Sequence, residues 1–234
     1  MKARLVFIPG LAGDGAMWRS QVEAFARREP VVTDVHMRHD SIPGMASALL
    51  AEVEGPLVLC GASMGGMIAM EAVRQAPARA AGLALLGTSA RPENDEMRQV
   101  RENAIRLFEQ GREREVIEPN VHFAFHPDHA QDPEIAKAYL EFVLRAGARQ
   151  LIRQNRAVIS RPDARAHLPQ VKCPVLVMHG DSDELVPPEC ANEIAQGVPH
   201  ARLEIVPRCG HMLTMERPCE INAALAAWLA ETGI

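Results

Sequence analysis

The chain is organised by short, wholly apolar runs that alternate with longer segments of helical spacing. Leu5-Val6-Phe7-Ile8, Val31 to Val35, Leu57 to Cys60, Leu83 to Leu86, Pro174 to Met178 and Arg202 to Val206 read as strands. Between them, residues 15–28, Ile42 to Val53, Met64 to Gln75, Pro188 to Gln196 and Cys219 to Ala230 carry apolar residues on one helical face. Most of the strands lack a polar alternate, so both of their faces must be covered. That predicts an α/β fold: a mostly parallel central sheet of about six strands with helices on both sides. In such sheets ligands bind at the carboxyl ends of the strands.

From Ser89 to His167 the alternation stops. This stretch reads as helical and polar, broken at Glu118-Pro119 and His126-Pro127-Asp128. A helical insertion between two strands of a parallel sheet reads as a cap. The expected organisation is a core of 1–88 and 168–234, with a helical cap of 89–167 inserted between core strands.

Composition narrows the class. At 47% apolar and 24% charged residues, the chain is an ordinary globular one. A net charge of −5, with both signs interspersed, points to neither nucleic acid nor a membrane surface as partner. Basic and acidic residues balance between 91 and 167, so the surplus acid belongs to the rest of the chain. The five cysteines (Cys60, Cys173, Cys190, Cys209, Cys219) are scattered and odd in number, which suits a reducing compartment better than a disulfide framework. Pro9 and Gly10 end the first apolar run too early for a signal-peptide core. A cytoplasmic protein, monomeric or a small homo-oligomer, is expected.

Candidate chemistry begins at Gly61-Ala62-Ser63-Met64-Gly65-Gly66, which follows a strand and opens a helix. A turn that sharp has no room for side chains beside the serine, and it aims the hydroxyl at the free N–H groups of a helix N-terminus. A serine hydroxyl is a poor nucleophile at neutral pH and needs a base, itself oriented by a carboxylate. Loops after two later strands supply these groups. One is His179-Gly180-Asp181-Ser182-Asp183-Glu184; the other is Arg208-Cys209-Gly210-His211-Met212. His211 is the expected base, because His179 ends its strand and should face the sheet. Spacing leaves Asp181, Asp183 and Glu184 open as the orienting acid. Two oxyanion donors are also required. Met64 N–H is one, and Leu11 N–H, in the loop Pro9-Gly10-Leu11-Ala12-Gly13, is the other.

FIPGLAGDGAMW, LCGASMGG, CPVLVMHGDSDELVPP and RCGHMLTMERP resemble, in this order, the motifs of the α/β-hydrolase family, specifically its small capped esterase-like members. The resemblance covers nearly the whole chain outside the cap. It implies a minimal six-stranded sheet that begins at the family's third strand. The family's orienting acid follows a G-x-x-D pattern before Val-Pro, which maps onto Gly180 and Asp183 and favours Asp183. Two segments depart from the family: Pro9-Gly10 stands where His-Gly is usual, and VHMRHDSIPG replaces an Arg-Gly-His-Gly-Ser-like run.

The expected activity is hydrolysis of a small carboxylic ester through an acyl-enzyme on Ser63, with no metal or organic cofactor. The same residues would serve a thioesterase, a lactonase, a carbon–carbon bond hydrolase or a perhydrolase. A dehalogenase would need a carboxylate at position 63. A non-catalytic ligand receptor on the same fold would be expected to lack one of the three residues, and none is missing.

Other residues admit simpler roles beside the sharper ones. Trp18 and Met212 are candidates for an apolar acyl pocket. His122, His126 and His129 lie close together, but Pro127 breaks the helix that a metal-binding face would need, so solvent-facing or pocket-lining roles are expected. Arg98, Arg101, Arg106, Arg112 and Arg114 are interleaved with acids and read as a solvated helix face rather than a dock for an acidic carrier protein. Cys60 reads as a core residue.

Overall fold

A computed structural model of the protein describes residues 3–234; Met1 and Lys2, at the start of the expected core, lie outside the described residues. Six strands form one sheet: β1 (Arg4–Ile8), β2 (Val31–Val32), β3 (Leu57–Ala62), β4 (Ala80–Leu86), β5 (Val175–Gly180) and β6 (Arg202–Val206). Their order is β2-β1-β3-β4-β5-β6, and every pairing is parallel.

Strand periodicity divides the core in two. Leu5 and Phe7, Val58 and Cys60, Ala84 and Leu86, and Leu176 and Met178 point to one face, where the helix α1 (Arg19–Ala24) and the C-terminal helix (Pro218–Thr232) pack. The alternate residues, Val6, Ile8, Leu57, Leu59, Leu83, Leu85, Val175 and Val177, face α2 (Ile42–Glu52), α3 (Met64–Gln75) and the helix Glu189–Gly197. Each layer buries continuous apolar surface, the main favourable term in folding. The chain leaves β1 toward β2 and returns across it to β3, so the carboxyl ends of β1 and β3 border a topological switch point.

One strand is shorter than its pattern suggests. β2 stops at Val32, because Asp34 opens a 3₁₀ turn over Val35–Met37 that buries Val35. Thr33 N–H still donates to Phe7 O at 3.1 Å, so the edge stays closed.

Between β4 and β5 the chain forms α4 (Asp95–Glu109), α5 (Glu113–Ile117), a 3₁₀ segment (Glu118–Ala124), α6 (Pro127–Ala130) and α7 (Pro133–Ile159), which kinks at Gly147. Asn94 caps α4 by accepting from Met97 N–H, and Asp132 caps α7 by accepting from Glu134 N–H. Phe108, Ile117, Val121, Phe125, Phe142, Val143 and Leu151 carry the first core cluster up from the sheet into these helices. The remaining helices are α8 (Glu189–Gly197), α9 (Leu213–Glu216) and α10 (Pro218–Thr232). Among the described residues, no helix is long and apolar enough to cross a membrane.

Candidate active site

Ser63 occupies the turn between β3 and α3, and its backbone is held at φ 53°, ψ −118°. A non-glycine residue reaches this region only where its surroundings over-determine it. Here Ser63 N–H donates to Leu86 O at 2.9 Å, and Thr88 Oγ1 donates to Ser63 O at 2.7 Å. The flanking glycines are needed for close approach. A Cβ on Gly61 would overlap the Gly65 backbone, and one on Gly65 would overlap the Ile8 carbonyl.

The β1 loop lies against the serine. A Cβ on Gly10 would sit 3.2 Å from Ser63 Cβ and 3.8 Å from Ser63 Oγ. Leu11 N–H makes no hydrogen bond among the described residues, whereas its neighbours are tied down. Gly10 N–H meets Met17 Sδ at 3.3 Å, and Ala12 N–H donates to Gln154 Oε1 at 2.7 Å. Met64 opens α3, where an N–H has no intrahelical acceptor. Gln154, in α7 and fully buried, also donates from Nε2 to His36 O at 3.0 Å. His36 Nε2 in turn donates to Gly13 O at 2.8 Å. Burial pushes the His36 imidazole below its ordinary value, outweighing that hydrogen bond.

Of the three acids that spacing left open, Asp183 is the one that meets His211. His211 Nδ1 donates to Asp183 Oδ2 at 2.8 Å. Asp183 Oδ1 accepts from Leu185 N–H at 3.0 Å and Val186 N–H at 2.9 Å. Asp181 turns the other way and accepts from Arg208 N–H and Cys209 N–H. Among the described residues, neither the Ser63 hydroxyl nor His211 Nε2 has a hydrogen-bond partner. The end of β4 links the two halves of the site. Leu86 O holds Ser63 N–H, and the next residue, Gly87, packs beside His211 O and Asp183 Oδ2.

His179 does not face the serine, as expected, but it does more than end a strand. It is fully buried, with Nε2 2.7 Å from Val186 O and 3.2 Å from Asp183 Oδ2. A carbonyl only accepts, so the ring proton sits on Nε2. The Asp183 carboxylate is therefore flanked by two imidazoles. Burial alone would raise the Asp183 carboxyl, but His211, His179 and the Val186 N–H outweigh it and hold it well below the usual carboxylate range. For His211, burial would lower the imidazole, and the Asp183 and Glu216 charges overcome it and raise the value.

Several other positions differ from a simple reading. Trp18 is fully buried and stacked on Phe7 at 4.6 Å, in the same apolar cluster as Ala12, Ala62, Met212 and Leu213. Arg101 is not part of a solvated face. It shares Glu93 with Arg161, at 2.6 and 2.9 Å, and donates to Asn155 Oδ1 at 3.0 Å. Cys60 is a core residue, as expected, and burial pushes its thiol well up. Sequence reasoning gave no role to Glu216, a buried acid that bonds both the His211 loop and the segment 126–129. Its signal was the lone Glu of RCGHMLTMERP, five residues after His211.

This architecture is widely shared. The family model described as serine aminopeptidase, S33, matches residues 25–218. A pimeloyl-[acyl-carrier protein] methyl ester esterase of Nitrosomonas europaea is 26% identical over 221 residues, covering 88% of each chain. A putative carbamate hydrolase, RutD, of Escherichia coli is 27% identical over 245 residues, covering 97% of this chain and 91% of its own. Among solved structures, a thermophilic esterase from Thermogutta terrifontis superposes with a TM-score of 0.90 at 25% identity, covering 99% of this chain and 91% of its own. An enol-lactonase from Burkholderia xenovorans LB400 has a TM-score of 0.84 at 20% identity, covering 98% and 92%, and shares the fold.

Proposed function

Since the chain belongs to the serine aminopeptidase (S33) family of α/β-hydrolases and is an enzyme of that fold, we propose that it hydrolyses small carboxylic esters through an acyl-enzyme on Ser63. In this reading His211 Nε2 takes the Ser63 proton as Oγ attacks the ester carbonyl, and then returns it to the leaving alcohol. Asp183 holds the imidazole through Nδ1 and stabilises the imidazolium. The N–H groups of Leu11 and Met64 bind the oxyanion. Water, activated by the same histidine, then releases the acid and restores Ser63. The bond from Ser63 Oγ to His211 is left to form with substrate, as such contacts tighten in the Michaelis complex.

The observation that carries this reading is the His211–Asp183 bond at the same carboxyl end of the sheet as the strained serine turn. The unengaged N–H of Leu11, next in the chain to Gly10, which packs against Ser63, supports the oxyanion site. We assign 89–167 as a helical cap on a core of 1–88 and 168–234, because Gln154 and Ala124 in that stretch bond the loops of the site. Met212 is proposed for the apolar side of the acyl pocket, with the fully buried Trp18 backing it, since both belong to the cluster that contains Ala12, Ala62 and Leu213. The ester class is favoured by relatives named as esterases in both sequence and structure.

The test is a fluorophosphonate probe together with p-nitrophenyl esters, acyl thioesters and aminoacyl p-nitroanilides. Labelling of wild type but not Ser63→Ala, with turnover of the esters, is the expected result. Turnover of thioesters or anilides alone would remove the ester assignment and spare the three residues. An unlabelled wild type would sink the mechanism.

A further inference from the structure

The loop that carries His211 makes no use of its own backbone for support. Five consecutive N–H groups, from Arg208 to Met212, all bond outside the loop. Asp181 accepts from Arg208 at 3.0 Å and from Cys209 at 3.3 Å. Glu216 Oε1 accepts from Gly210 at 3.0 Å. Ala124 O, in the cap, accepts from both His211 and Met212 at 3.1 Å. The contact is close: a Cβ on Gly210 would overlap the backbone of Phe125 and His126.

Glu216 joins the two sides of this contact. Its side chain is wholly buried and has four donors around it. Oε1 takes Gly210 N–H, with Cys209 Sγ at 4.0 Å; Oε2 takes His126 N–H at 2.8 Å and His129 Nδ1 at 2.9 Å. Gly210 and Cys209 belong to the His211 loop; His126 and His129 belong to the cap. Only an acceptor-only group can satisfy such a set. A carboxamide would turn an N–H against one side. Breaking the set would orphan buried donors on both elements, which is more costly than the bonds are strong.

We propose that Glu216 is a positioning residue for His211, fastening the base-bearing loop to the cap so that the seat of the cap sets where the imidazole stands. The inference rests on the reading of His211 as general base. It gives the cap a part in the chemical step as well as in covering the site, with His129 as its side-chain contact. The charged and titratable groups facing His211 and this junction are Asp183 and Glu216, Arg101 from α4, His179 behind Asp183, Asp181 and Cys209 on the loop side, and His126 and His129 from the cap.

The test uses full-length Glu216→Gln, His129→Ala and His129→Asn with p-nitrophenyl butyrate. Glu216→Gln is expected to lower kcat by about tenfold, the worth of roughly one well-placed hydrogen bond, while KM stays within about twofold. Its acid limb should move to lower pH, since one negative charge fewer faces His211. His129→Ala should show a smaller fall, also in kcat, and His129→Asn, which keeps a donor at the Nδ1 position, should recover most of it. Unchanged kcat, or a loss confined to KM, overturns the proposal, as does an unmoved acid limb in Glu216→Gln. If Glu216→Gln does not fold, the two His129 variants decide alone: a fall in His129→Ala that His129→Asn reverses supports the proposal, and equal kcat in all three proteins overturns it. Fluorophosphonate labelling of wild type separates the premises, because its absence sinks the reading of Ser63 and His211 itself, and this inference with it.

Discussion

His211 Nδ1 donates to Asp183 Oδ2 at 2.8 Å, and the second oxygen of Asp183 is already occupied by two backbone N–H groups. The carboxylate cannot turn away without abandoning them, so the imidazole is held in one tautomer with Nε2 outward. The pair sets the pH response. A raised His211 is protonated to higher pH than a free imidazole, and only its neutral form can accept the serine proton. The kcat/KM for p-nitrophenyl butyrate should therefore climb through an ionisation above 6.5, the ordinary histidine value. Asp183→Asn should shift that limb downward and lower kcat by on the order of 10⁴, as tautomer control is lost. A pH–rate profile of both proteins checks it. An unshifted limb in the variant would remove Asp183 from the role.

Gln154 ties α7 to the β1 loop through Ala12 N–H, and to the turn after β2 through His36 O. In Gln154→Leu, His36 O keeps its other donor, Gln150 Nε2 at 3.0 Å, but Ala12 N–H is left buried without an acceptor. The expected cost is about 1–3 kcal/mol in urea-unfolding stability. Because Ala12 follows Leu11, a fall in kcat should accompany it. Equal stability and activity in wild type and variant would contradict the assignment of this bond.

The strands were legible because apolar runs buried on two faces leave few other options, and the serine turn because its close backbone packing demands Gly61 and Gly65. Which acid meets His211 was not legible from spacing. Asp181 and Asp183 are chemically identical and two residues apart, and what separates them is which way the loop turns. One carboxylate meets backbone N–H groups of the 208–209 segment, and the other meets an imidazole. The resemblance to known motifs favoured Asp183 where spacing could not. Glu216 was hidden for a related reason: its partners include His126 and His129, some ninety residues earlier in the chain. Arg101 looked solvated because its neighbours in sequence are polar, but its partners, Glu93 and Asn155, lie near the two ends of the 89–167 segment.

That Arg101–Glu93–Arg161 cluster has one acid between two guanidiniums, and the Glu93 side chain is only 4% exposed. Burial would raise the Glu93 carboxyl, yet Arg161 and Arg101 outweigh it and hold the group below its ordinary value of 4.5. Removing the acid leaves two like charges facing each other, Arg161 largely buried and Arg101 partly so. Glu93→Ala should lose about 3–5 kcal/mol at neutral pH. A carboxyl depressed on folding stabilises above its unfolded value and loses that contribution as acid protonates it. The gap between wild type and variant should therefore narrow as pH falls below 4.5. Urea midpoints at neutral and acid pH measure both effects, and a gap that widens in acid would refute the pairing.

Gly65 separates steric need from general glycine tolerance. In Gly65→Ala the new Cβ would overlap the Ile8 carbonyl, part of the β1 end that the serine turn packs against. Neither backbone can yield freely, since Ile8 is paired in the sheet with Gly61 and Ser63 is already at positive φ. Overpacking of this kind costs about 1–3 kcal/mol, and here the displacement falls on Ser63, the proposed nucleophile. Gly15→Ala provides the contrast, because a Cβ there has nothing within 4 Å. Gly65→Ala is expected to lower the fluorophosphonate labelling rate by at least about tenfold along with its melting temperature, whereas Gly15→Ala should match wild type in both. Normal labelling of Gly65→Ala would mean that the turn tolerates a side chain, and the geometric account of Ser63 would fail.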